Sequence, residues 1–169
     1  MDFSKTDHIA NRLQEYLGES AQVSFVNGER QDHIEISADS LLPACEFLNE
    51  SPEFYFDFLN LITASDNGPE ADTFDIWYHL SSVPNEISVI LKVTLERGDS
   101  ENLPAIDSLT PIWKTADWHE REAFDLMGIH FKNHPDLRRI LMPADWKGYP
   151  LRKDYQDPET YHGIKVKYE

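Results

Sequence analysis

The residues capable of chemistry crowd into one stretch, residues 117–155. His119-Glu120 matches the first two positions of the zinc-protease pattern HExxH, in which two histidines hold the metal and the glutamate acts as base. The fifth position is Ala123, so the second ligand is missing. A stand-alone metallohydrolase built on His119, Glu120 and Glu122 is therefore a remote reading. His130 and His134 stand four apart, but they straddle a segment that reads as extended, and Pro135 follows. A hydrogen-bonded, structural His134 is expected rather than a metal pair. Gly28, Gly68, Gly128 and Gly148 are isolated, each reading as a turn or cap and not as a phosphate loop. No nucleophile–base pair stands out.

Turn geometry places the charged residues on one helix. Thr110-Pro111 offers a start, with proline at the first position, and Thr115 offers a second. Gly128 suits the left-handed turn that ends a helix. A helix over residues 111–127 puts Trp113, Ala116, Glu120, Ala123, Phe124 and Met127 on one side and Trp118, Arg121, Glu122 and Asp125 on the other. Glu120 then falls in the apolar stripe, where a carboxylate is costly unless paired. The expectation is an ion pair with Arg138 or Arg139; the alternative is a hydrated Glu120 at the rim. Trp118 with Arg121, Glu122 and Asp125 has the composition of an interface anchor. The bland alternative is a solvated face with Arg121–Asp125 paired one turn apart. Arg138-Arg139 and Arg152-Lys153 carry donors suited to a partner's carboxylates.

These residues also form an ordered pattern. Glu120-Arg121-Glu122, Phe124-Asp125, Gly128-Ile129, His134-Pro135-Asp136-Leu137-Arg138-Arg139-Ile140-Leu141 and Pro150-Leu151-Arg152-Lys153-Asp154-Tyr155 resemble the signature of the C subunit, or thirty-kilodalton subunit, of respiratory complex I. The resemblance implies a non-catalytic structural subunit in the hydrophilic arm of a proton-translocating NADH:quinone oxidoreductase. Such a subunit binds no cofactor itself; NADH, FMN, iron–sulfur clusters and quinone belong to the complex. Its partners would be the quinone-site large subunit and the iron–sulfur subunits. It would be peripheral on the cytoplasmic side of the bacterial inner membrane. The interface implied on this chain is Trp118, Arg121, Glu122, Asp125, His134, Arg138, Arg139, Arg152, Lys153 and Asp154. An equivalent scaffold in a membrane-bound hydrogenase or a ferredoxin-driven quinone reductase is the alternative. Relatives often carry His where this chain has Tyr149.

Composition narrows the classes. The 169 residues amount to one domain's length, with 31 acidic against 15 basic residues and a net charge of −16. Residues 132–169 hold eight Lys/Arg and six Asp/Glu, a balance of +2, which leaves −18 on residues 1–131. The aromatics Trp146, Tyr149, Tyr155 and Tyr161 interleave with basic residues, as in single-strand binders. An acidic chain nevertheless argues against nucleic acid, whose phosphates need a basic footprint. Cys45 is the only cysteine, which excludes an intrachain disulfide and a four-thiolate cluster. The first five residues show no basic-then-apolar leader. No run reaches the roughly 18 apolar residues of a membrane helix, so any membrane link is expected through partners.

The remaining elements follow in order. Residues 7–17 carry Ile9, Leu13, Tyr16 and Leu17 at helical spacing. Residues 21–27 and 31–37 alternate about Asn27-Gly28 as a hairpin. A helix capped by Asp39 or Ser40 runs to about Glu50. Residues 54–63 read as a largely buried strand, residues 73–81 and 86–95 as two more, and 96–104 as a polar loop. The expected fold is α+β, a two-layer domain with helices on one face of a mixed or antiparallel sheet of about five strands. Residues 1–131 form that domain. Residues 132–169 are expected as an extended basic arm and tail, partly mobile when isolated.

Overall fold

Alternation in two neighbouring segments, strict over residues 73–82 and interrupted by buried Ile90 in the next, builds the centre of the sheet. A computed structural model describes residues 5–28, 31–98 and 102–166. Residues 1–4 of the leader reading, part of the 96–104 loop and Lys167 lie outside the described residues. The elements are α1 (Lys5–Leu17), β1 (Val23–Val26), β2 (His33–Ile36), a 3-10 turn (Ala38–Ser40), α2 (Leu41–Glu50), β3 (Phe58–Asp66), β4 (Thr73–Ser82), β5 (Ile87–Glu96), β6 (Ala105–Asp107), α3 (Ala116–Met127), β7 (His130–Lys132), β8 (Thr160–Tyr161) and β9 (Ile164–Lys165).

The main sheet is five-stranded in the order β1-β2-β5-β4-β3. All neighbours are antiparallel except β2 and β5, which run parallel with Ile34 opposite Leu91. The expected mixed α+β sheet is present. Phe74, Ile76, Tyr78 and Leu80 of β4 are buried, and they share one core with Ile9 and Leu13 of α1, Leu41, Ala44, Cys45 and Leu48 of α2, and Val89, Leu91 and Val93 of β5. Ala116, Ala123 and Met127 of α3 join the same core. The intervening β4 residues Thr73, Asp75, Trp77, His79 and Ser81 are only half-buried. This is the period-2 signature of a sheet covered on one face.

Two expectations need correction. The strand placed at 54–63 lies at Phe58–Asp66 and is largely exposed, with only Leu59, Ile62 and Asp66 buried. It is an edge strand with a bulge between Leu59 and Leu61, so dense apolar composition did not mean two covered faces. Of the two starts offered for the third helix, the structure takes the second: the helix begins at Ala116 after Thr115, not at Pro111. Ile112 and Trp113 instead donate backbone N–H groups to the Leu109 carbonyl. Trp113 Nε1 donates to the Phe56 carbonyl and the Thr115 hydroxyl to the Leu59 carbonyl. Tertiary bonds therefore hold this segment where helix propensity is a weak prior.

A small parallel pair, β6 with β7, went unforeseen because three-residue strands carry too little pattern. Its second strand covers residues 130–132, at the root of the arm. The tail is likewise more structured than an extended run, forming the β8–β9 hairpin.

Candidate functional site

The site is α3 and the arm folded over it. An α-helix leaves its last carbonyls without intrahelical partners, and α3 has no basic residue in its own last turn. The arm supplies what is missing. Arg139 Nη1 donates to the Asp125 carbonyl at 2.8 Å, Leu151 N–H to Leu126 at 3.0 Å and Arg152 Nε to Met127 at 2.7 Å. Two guanidinium groups thus stand at the negative end of the helix dipole. Gly128 ends the helix in the left-handed region at φ +71°, as expected. A Cβ there would lie 2.6 Å from Tyr149 Cε2 and 2.8 Å from Arg152 Nη2. The Tyr149 ring lies between the Arg139 and Arg152 guanidiniums, 5.2 and 4.9 Å from its centroid.

Asp125 is the second fastening. Its Oδ2 accepts the consecutive N–H groups of Ile140, Leu141 and Met142 at 3.0, 2.7 and 2.9 Å. Its Oδ1 accepts from Arg139 at 2.7 Å. Burial alone would raise this carboxyl, but these donors outweigh it and hold it below the usual range. At the root of the arm, Arg121 Nε donates to the Arg138 carbonyl at 3.3 Å.

The third fastening joins the arm to the sheet. Arg97, just after β5 and almost wholly buried, bridges Asp66 at the end of β3 and Asp154 in the arm. Asp66 Oδ2 also accepts the Lys153 N–H at 2.7 Å. Burial works against ionised Asp66, yet Arg97 and the N–H donors of Lys153 and Gly68 prevail and lower its pKa. Asp154 is lowered chiefly by Arg97. Burial, then the charge of Arg97, lowers the pKa of Arg152.

The predicted ion pair of Glu120 with Arg138 or Arg139 is not formed. Glu120 is fully buried, and its carboxylate accepts from Ser108 Oγ at 2.6 Å and the Leu109 N–H at 2.7 Å. Arg139 is spent on Asp125, while Arg138 reaches out to Asp136 at 2.9 Å. Burial pushes the Glu120 carboxyl up to about 7, opposed by Ser108 and Leu109 and reinforced by Asp117. His134 lies beside it as the hydrogen-bonded, structural histidine expected, with its side chain wholly buried. Its Nδ1 accepts the Asp136 N–H at 3.0 Å.

The face assigned to a partner is thus divided. Trp118 is 65% exposed and Glu122 is exposed, but Arg121 and Asp125 are buried beneath the arm. Sequence periodicity could not foresee that the chain covers this face itself. The Arg121 guanidinium lies 5.0 Å from the Trp118 ring centroid, a cation–π contact that supports the indole from below. Arg138, Lys153 and Asp154 are exposed, while Arg139 and Arg152 are partly covered. His119 and Glu122 line a shallow groove between α3 and β3 with Ile62, Leu126 and Leu151. Among the described residues, no group of three His, Cys, Asp or Glu is placed to hold a metal. Asp66, Arg97, Ser108 and Tyr78 went unnoticed, since each lies far in sequence from what it serves.

The fold and the clasped helix define a two-layer α+β domain closed by its own C-terminal arm. The pattern for the respiratory-chain NADH dehydrogenase 30 Kd subunit matches residues 34–161, and the chain belongs to this family. It is 36% identical to the NADH-quinone oxidoreductase C subunit of Chlorobium phaeobacteroides, with 92% of each chain covered. To the C subunit of Geotalea uraniireducens it is 37% identical, covering 96% of this chain and 97% of that one. With the Chloroherpeton thalassium C subunit it shares 44% identity over 72% of its own length but spans only about half, 49%, of that relative. A trypsin-resistant fragment of Nqo5 has a similar structure, with 26% identity, TM-score 0.51 and coverage of 75% and 97%. A chain of the archaeal membrane-bound sulfane sulfur reductase shares the fold at TM-score 0.69 and 23% identity, with coverage of 90% and 86%. No helix among the described residues is long and apolar enough to cross a membrane.

Proposed function

We propose that this chain is a non-catalytic structural subunit of the hydrophilic arm of a proton-translocating NADH:quinone oxidoreductase. One observation carries this beyond family membership. The polar groups of the signature are spent on shape, with the arm fastened to α3 at every free carbonyl of its last turn. What the arm leaves outside is Trp118, in contact with the Arg121 guanidinium, with exposed Glu122 one turn along the same helix and exposed Arg138 in the arm. A large aromatic held in place loses little freedom on binding, which is the property of an interface anchor.

The partners are the quinone-site large subunit and the iron–sulfur subunits, met through Trp118, Glu122, Arg138, Lys153 and Asp154. Arg121, Asp125, His134, Arg139 and Arg152 act from beneath by holding that surface. NADH, FMN, iron–sulfur clusters and quinone belong to other subunits. The lone Cys45 fits no cluster site, because burial raises its thiol pKa well above the ordinary value. The chain is then peripheral, bound to the cytoplasmic side of the membrane through its partners.

The test is affinity purification of the chain from its own gently solubilised membranes, with identification of what accompanies it and an NADH-to-quinone assay. Recovery with iron–sulfur and quinone-site subunits in an active fraction is the expected result. Recovery alone would overturn the reading, and recovery with a nickel-binding large subunit would move the chain to a hydrogenase-type complex.

A further inference from the structure

Three carboxylates are buried among the described residues, and Glu120 differs from the other two. Asp66 bonds Arg97 and Asp125 bonds Arg139. Among the described residues Glu120 has no Arg or Lys within ion-pair distance, and its one basic neighbour there is His134, whose Nε2 lies 3.9 Å from Oε2. That imidazole brings no charge in the observed arrangement. Its Nδ1 accepts the Asp136 N–H, so the ring proton sits on Nε2. From there it faces the Asp117 carbonyl at 3.2 Å and Asp117 Oδ1 at 3.5 Å.

The other groups around Glu120 do not neutralise it either. On its own helix stands Asp117, whose Oδ1 is buried without a hydrogen bond and 3.8 Å from Arg121 Nη1. The segment after β6 offers the neutral donors Ser108 Oγ and Leu109 N–H, with Thr110 Oγ1 behind Ser108 at 2.8 Å. From β4 comes the buried, unpaired hydroxyl of Tyr78, whose ionisation is opposed by burial, then by Glu120 and Cys45 of α2. An anion here is held by neutral donors alone, beneath a lid that includes His134.

We propose that Glu120 is a buried proton-binding site that couples the docking of the C-terminal arm to pH: the arm closes over the protonated carboxyl and loosens when the proton leaves. This coupling is a property of the chain itself and does not depend on its place in a complex. Linkage sets its sign. Burial in the closed fold raises the carboxyl from its ordinary 4.5 to about 7, and His134 is the arm residue that stands over it, 3.9 Å from Oε2. The part of that shift that the docked arm supplies favours docking at acid pH and is lost as the pH rises to about 7. Opening of the arm should grow by up to about tenfold per pH unit across that window and level off above it.

The experiment is amide exchange at Ile140, Leu141 and Met142 in the full chain between pH 5 and 8, corrected for intrinsic rates. In the wild type, the opening constant should rise from pH 5 to 7, by at most about fortyfold, and Glu120→Gln should abolish that rise. A flat wild-type profile, or the same slope in the variant, would overturn the proposal. Should Glu120→Gln not fold, carboxyl-carbon NMR titration of wild-type Glu120 decides. A midpoint near 7 supports the site, and one below 5 removes it.

Discussion

Arg139 and Asp125 lie fourteen positions apart in sequence, and their side chains meet at 2.7 Å with the carboxylate fully buried. The same carboxylate gathers three successive backbone N–H groups of the arm. One aspartate thus decides where a segment without helix or strand is placed. Asp125→Asn keeps the shape but gives up acceptor capacity and leaves Arg139 unpaired. Removing one partner of a buried pair costs about 3–5 kcal/mol. Urea unfolding should show that loss, and amide exchange at Ile140–Met142 should accelerate in the variant. Unchanged exchange would mean that the arm is held by something else.

The pH dependence of stability has an acid limb distinct from that of Glu120. Asp66, Asp125 and Asp154 all have folded pKa values below the ordinary 3.8. Their contribution is therefore present above about pH 3.8 and is lost as the pH falls through their depressed values. Denaturation midpoints measured from pH 5 down to 2 should drop. In Asp125→Asn, part of that drop should vanish, because the group responsible no longer titrates.

Two glycines separate backbone strain from packing. Gly163, at φ +80°, has nothing within 4 Å of an added Cβ, so Gly163→Ala should cost only the left-handed backbone term, about 1 kcal/mol. Gly128→Ala adds a Cβ at 2.6 Å from Tyr149, inside the arm's contact with the helix end. Overpacking there should bring the total to about 2–4 kcal/mol. Thermal unfolding of the two variants side by side tests the difference; equal losses would show that Tyr149 yields freely.

Trp118→Ala tests the proposed surface. With the side chain 65% exposed, the isolated chain should lose no more than about 1 kcal/mol, mainly the cation–π contact with Arg121. Co-purification of partner subunits should nevertheless fall sharply. A variant that assembles as well as the wild type would remove Trp118 from the interface.

Local pattern determined much of this protein. The alternation in β4, the pairing of β1 with its neighbour β2 and the Gly128 stop all rest on interactions close in sequence, which a linear reading captures. The spaced signature of residues 120–155 carried the family. Tertiary structure alone decided which polar groups meet. Glu120 turned to Ser108 and Leu109 in place of Arg138 or Arg139. Arg97 joined Asp66, 31 positions before it, to Asp154, 57 positions after it. The expected outward face of α3 lost Arg121 and Asp125 to the chain's own arm. The reason is physical: charge and hydrogen-bonding capacity are properties of residues, but burial and pairing depend on which distant segment closes over them.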